Sequence, residues 1–360
     1  MPPPEPEWLH LGDAEALKKH ADGFYQTIEA LEAAAPMPEP LAKSAKALEQ
    51  VARDLASAWW QPIAAHLPPA AAAGGKKPLV CLSPDGIAHR IPFAALPVGS
   101  GFVAASFDLR QVSSARDFLR ESPSSVAKGT AVIIGNPALG DMPAKAHEPS
   151  VKPANPTALQ SVLAAIDLTQ MPDLPSAAAE ATELTERARA AGWKVELTQG
   201  TEATEQQLFK ISQPALLHIA AHGLDLLTLA PVTAPGGMLA RDPMQASLLL
   251  LAGARPSLAE WQSGRQPDPA TDGILTAHEA AALDLQGTLL VTASCCWSGS
   301  GGLKSGEGVM GLRRAFAQAG ARHSLLSLWP VDDETTKQMM GSFYEQLFGG
   351  QNPPTAWSVT

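Results

Sequence analysis

Cysteine is scarce in this chain: three residues in 360, two of them adjacent at positions 295 and 296. So few thiols cannot build a disulfide framework, and free thiols in a reducing cytoplasm are expected. Long apolar runs are missing too. No stretch reaches the roughly 18 uninterrupted apolar residues of a membrane-crossing helix. The opening MPPPEPEWLH has neither the basic start nor the apolar run of a secretory signal. Positive charge is in deficit, 26 Lys and Arg against 36 Asp and Glu. The resulting net charge of -10 argues against direct nucleic-acid binding through a basic face. No 20–50-residue period marks a repeat array. No GxxxxGK[ST] or GxGxxG follows a strand, so a phosphate-cradling loop is not expected.

What is present is apolar content of 45%, enough for a substantial core in one large α/β domain or two units. Residues 13–35 carry Leu17, Ala21, Phe24, Ile28 and Leu31 at helical spacing, with Asp13 as N-cap. A second helix is expected over 41–67, and the Pro36-Met37-Pro38 link makes a helical hairpin of residues 1–69. After a small-residue connector at 70–78 come strands at 79–82 and 131–137. Residues 139–175, dense in Pro, Ala and charge, read as an exposed insertion open to proteolysis. From Ser176, taken as the cap of a helix to 191, strands and helices alternate: 193–197, 204–212 and 215–220. That alternation implies βαβ units and a mainly parallel sheet. The Gly/Pro-rich stretch 224–271 is expected to form cleft walls, and residues 334–348 a final helix.

Two apolar strands end in reactive side chains. Leu216–Ala220 delivers His222-Gly223, and Leu289-Leu290-Val291 leads to Cys295-Cys296 and a glycine-rich turn. In open parallel sheets, reactive groups lie just beyond the carboxyl ends of strands. Cys296 as nucleophile with His222 as its base is the chemistry these positions offer. The backbone N–H groups of Gly223 and Cys296 are placed to face a developing oxyanion. Taken alone, a structural role for either residue is equally open. Alternation along the strand turns Cys295 into the core. A zinc site of Cys295, Cys296, His218 and His222 lacks CxxC spacing, so no metal is expected. Asp332, Asp333 and Glu334 read as caps of the last helix, with a pocket for a basic side chain as the alternative for Asp332 and Asp333.

Several of these segments, in order, resemble the CHAT domain: SPDGIAHRIPFAALP at 83–97, IIGNPAL at 133–139, LPSAAAEA at 174–181, HIAAHG at 218–223, DGILTAHE at 272–279, ASCCWSG at 293–299, GEGVMGLRRAFAQAGAR at 306–322 and SLWPVDDE at 327–334. The resemblance implies a caspase-hemoglobinase-like α/β fold, a mainly parallel sheet flanked by helices. It also implies a structural half at 70–175 and a catalytic half at 176–360. The family histidine falls on His222 and the family cysteine on Cys296, with Ser294 and Gly299 in register. The activity implied is a cysteine endopeptidase making limited cuts in a protein substrate, in bacterial stress or antiviral defence. Ser294 and Trp297 would line the substrate pocket. Trp297 stands where the family usually has Glu. CHAT domains often follow tetratricopeptide repeats, whereas only a helical hairpin precedes this one, so an activating or regulatory protein is expected as partner. No cofactor, nucleic acid or membrane partner is expected. An inactive caspase-like scaffold and a thiol acyltransferase are the rival readings.

Overall fold

The computed structural model describes residues 6–34, 38–69, 77–112, 128–140, 162, 171, 173–229, 242–263, 265, 267–304 and 308–359. The connector at 70–76, most of the insertion at 139–175 and cleft-wall residues 230–241 lie outside them. The chain divides into two compact units, 1–121 and 122–360.

In the first unit, Asp13 caps helix α1 (Ala14–Ala34) by accepting the Ala16 N–H at 3.0 Å. The α1 stripe Ala21, Phe24, Tyr25 and Ile28 is buried, and helix α2 (Pro38–Leu55) packs against α1. A π-turn at Ala56–Trp60 follows and buries Trp59 and Trp60. The Trp60 ring then meets Phe93 and Phe107, at 6.4 and 5.5 Å between centroids. Strand β1 (Leu79–Leu82), the hairpin β2 (Pro97–Val98) and β3 (Gly101–Phe102), and strand β4 (Asp108–Gln111) complete the unit, with β1 and β4 parallel. Tyr25 joins the helices to this segment. Its hydroxyl donates to the Arg90 carbonyl at 2.8 Å, and the Arg90 guanidinium lies 4.3 Å from its ring centre.

The second unit runs β5 (Thr130–Pro137), α3 (Pro175–Ala190), β6 (Lys194–Gly200), α4 (Glu205–Leu208), β7 (Leu216–Ala220), β8 (His222–Asp225), β9 (Ser247–Leu250), α5 (Ala254–Gln262), β10 (Ile274–Thr276), α6 (Ala277–Ala280), β11 (Leu290–Ser294), β12 (Gly302–Lys304), β13 (Gly308–Met310), α7 (Leu312–Ala319), β14 (His323–Leu326), α8 (Asp333–Phe348) and α9 (Pro353–Val359). Five of these strands form the central sheet in spatial order β14-β11-β7-β5-β6, every pairing parallel. The fold is therefore mixed α/β with a parallel sheet flanked by helices, consistent with a caspase-like fold.

Strand alternation sorts the core to two faces. Leu217, Ile219, Val291 and Ala293 join residues of α4, α6 and α7 on one face. Leu216 and Leu290 join Ala131, Ile133 and residues of α3 and α8 on the other. Burying each such Leu or Ile contributes about 1.5–3 kcal/mol, which makes the central strands the best-anchored part of the unit. A second sheet, β10-β9-β8, is antiparallel and begins at His222.

Helix ends follow their local chemistry. Thr276 and Glu279 form a capping box at α6, and Gly320 ends α7 at φ 113°, a left-handed position suited to glycine. Ser176 departs from expectation. The helix α3 begins at Pro175, and the Ser176 N–H is itself capped by the Asp333 carboxylate of α8 at 2.9 Å. A partner brought in from 157 positions away outranks the local capping preference.

Candidate active site

The neighbouring strands β7 and β11 pair from Leu216↔Leu290 to Ala220↔Ser294. His222 and Cys296 each lie two residues beyond that last pair, past the same ends of two adjoining strands. At Ala221 the chain leaves the parallel sheet, and His222 opens β8, pairing with Leu250. The Gly223 backbone passes against Cys296. A Cβ at 223 would run into the Cys296 carbonyl oxygen and come within 3.1 Å of Cys295 Cβ. Glycine is required there by that approach.

The two cysteines divide by strand parity. Cys295 is buried on the α7 face, where its thiol donates to the Ile219 carbonyl at 3.4 Å. Burial pushes that thiol well above the ordinary range, so it stays protonated and inert. Cys296 is half-buried, and its Sγ lies 3.9 Å from the Val331 carbonyl oxygen. The accessible thiol of the pair is thus the one beyond the strand end.

The turn that follows is stitched down by its own side chains. Trp297 is buried and held at φ 56°, a left-handed conformation costly for a non-glycine residue. Ser298 donates to the Ala293 carbonyl at 3.0 Å and accepts the Ser327 N–H at 2.9 Å. Gly299 N–H donates to the Ser327 carbonyl at 2.8 Å, and Ser300 donates to the Trp297 carbonyl at 2.6 Å. Together these bonds fasten the cysteine turn to the segment leaving β14, the segment that carries Val331.

The remaining sequence candidates fall as follows. Ser294 is buried, and its hydroxyl donates to Glu180 Oε2 at 3.3 Å. Asp332 caps α8, accepting the N–H and hydroxyl of Thr335 at 2.8 and 2.7 Å. Those bonds hold its carboxyl below the usual range. Asp333 is engaged with Ser176, as above. Both acids therefore serve helix ends. Among the described residues, no group of three or more His, Cys, Asp and Glu is arranged to hold a metal.

The sequence reading missed a buried polar chain beneath the two strand ends. His218, one turn of strand before His222, contacts Glu180 Oε1 through Nε2 at 2.8 Å, without good hydrogen-bond alignment. Its Nδ1 lies 3.1 Å from the Tyr344 hydroxyl, which donates to Thr292 Oγ1 at 2.8 Å. Glu180 and His218 are 2% and 1% exposed, so this is a fully interior network joining α3, β7, β11 and α8. A signal existed: Glu180 is the one charged residue among the buried positions Ala177, Ala181, Leu184, Thr185 and Ala188 of α3. A second hidden feature lies on the opposite face, where the carboxyls of Glu205 and Asp272 are buried together. Glu205 Oε2 accepts the Gly273 N–H, and Asp272 Oδ1 accepts the Ile274 N–H, each at 2.8 Å.

The sequence profile of the CHAT domain matches residues 49–359, and the chain belongs to that family. The fold that goes with it is caspase-like and peptidase-related. The chain is also similar to tetratricopeptide repeat protein 28 of Homo sapiens, 29% identical over 293 residues, and to the Mus musculus protein of that name, 25% identical over 283 residues. Each match covers 74% of this chain and 10% of the relative. The chain thus spans about a tenth of the length of these curated relatives.

Proposed function

We propose that this protein is a cysteine endopeptidase making limited cuts in a protein substrate through Cys296 and His222. The observation that supports the reading is the β7–β11 register, whose last pair, Ala220↔Ser294, lies two residues before His222 on one chain segment and two before Cys296 on the other. Family membership supports it. In the reaction, His222 accepts the Cys296 proton and the thiolate attacks the scissile carbonyl carbon. The carbonyl electrons move to oxygen, where the backbone N–H groups of Gly223 and Cys296 stabilise the charge. Collapse breaks the C–N bond, the amine leaves with the proton held by His222, and water then hydrolyses the thioester. No cofactor is required for these steps.

Ser294 and Trp297, which flank the cysteine pair in sequence, are assigned to the substrate pocket. Asp332 and Asp333, at the start of α8, bear on a basic P1 residue only if their caps are released. The domain divisions at 69/70 and 175/176 remain part of this reading. The repeats named in the relatives support control by a protein partner. Among the described residues, no helix is long and apolar enough to cross a membrane. A reducing cytoplasmic setting is proposed from the free thiols. The relatives are mammalian and lend no weight to a role in bacterial defence.

An electrophilic peptidyl probe, such as an acyloxymethyl ketone, tests the reading. Labelling of Cys296 that disappears on His222→Ala is expected. Equal labelling of native and denatured protein would contradict an activated thiol.

A further inference from the structure

Among the described residues, Glu180 is the one carboxylate buried on the sheet face shared by α3 and α8, and its two oxygens meet β11 and β7. Oε2 accepts the hydroxyl of Ser294, two residues before Cys296, and Oε1 meets the ring of His218, four residues before His222. On the far side of that ring, Tyr344 passes the chain to Thr292, four residues before Cys296 and the register partner of His218. The polar chain therefore touches β11 at two levels and β7 at one. An isolated carboxylate in such a place is costly, and the Ser294 hydrogen bond and the His218 contact offset part of that cost with β7 and β11 in this relative placement. With the Tyr344 proton given to Thr292, the Tyr344 oxygen is left to accept from His218 Nδ1, which ties the ring and the strand that carries it to α8.

We propose that Glu180 is a positioning residue for the Cys296–His222 pair, acting through Ser294 on one strand and His218 on the other. It touches neither reacting group. It sets the relative height and spacing of the two strand ends, on which proton transfer from thiol to imidazole depends. The inference rests on the cysteine-nucleophile reading and adds to it a residue from outside both strand-end motifs.

The test is the rate of Cys296 alkylation by iodoacetamide at pH 7 on the full chain, read site by site by peptide mass spectrometry. Glu180→Gln keeps the shape and removes the charge. It is expected to slow alkylation about tenfold, the equivalent of one pH unit in thiolate availability. Glu180→Asp should recover part of that loss. Glu205→Gln, which removes a comparably buried carboxyl from the other face, should leave the rate within twofold. A folded Glu180→Gln protein with an unchanged rate overturns the proposal, as does Glu205→Gln slowing alkylation equally. Should Glu180→Gln fail to fold, Tyr344→Phe decides. It removes one hydroxyl from the same chain, and about threefold slowing is expected, whereas no change overturns the proposal. His222→Ala in the same assay separates the two levels. If it leaves the rate unchanged, the Cys–His pair itself fails. If it slows the rate and Glu180→Gln does not, only the positioning role fails.

Discussion

Gly223 and Cys296 meet backbone to backbone, and that approach leaves no room for a methyl group. Gly223→Ala should displace the Cys296 peptide. Overpacking of this kind costs about 1–3 kcal/mol of stability, and a displacement near 1 Å at reacting atoms costs about 10²-fold in rate. Thermal denaturation and cleavage assays on the variant check both figures, and wild-type turnover would argue against the backbone contact mattering. The buried acid pair on the other face makes a pH prediction. Asp272 is pushed up to about 9, first by burial and then by Glu205, and Glu205 to about 7, mainly by burial. Both folded-state values exceed the unfolded ones, so the folded state holds protons that the unfolded chain releases. The pair's contribution to stability is then greatest below about pH 4 and declines as pH rises through 7 toward 9. Asp272→Asn cannot lose that proton, so the decline between pH 5 and 8 should shrink by about 1–3 kcal/mol in urea titrations. An unchanged slope would refute the raised Asp272 carboxyl.

Among the elements, the N-terminus of α8 carries the most consequence per residue. Asp332 satisfies its first turn and Asp333 reaches across to α3, so two helices on one face of the sheet are fixed through adjacent acids. Asp332→Ala should cost about 1 kcal/mol, the usual worth of an N-cap, visible as a lower urea midpoint. Such caps were legible in the sequence because they are local: Asp13 and Asp332 declare themselves within one turn. The same holds for the strands ending near His222 and Cys296, whose apolar runs stop in small residues. What local pattern could not give was pairing at long range. Nothing near Ser176 announces that Asp333 will cap its helix, and nothing near Glu180 names Ser294, 114 positions away, as its partner. Nor does the Gly/Pro-rich stretch after His222 declare that residues 247–250 will join β8 and β10 in a separate antiparallel sheet.

At the scale of the whole molecule, family membership and the parallel sheet agree on a caspase-like unit that carries one accessible thiol at its strand ends. The measurement that tests the central claim most directly is mapping of new protein N-termini in lysate treated with wild type or with Cys296→Ala. The account predicts a small set of new termini, sharing a P1 preference, with wild type alone. The same termini from Cys296→Ala would contradict it.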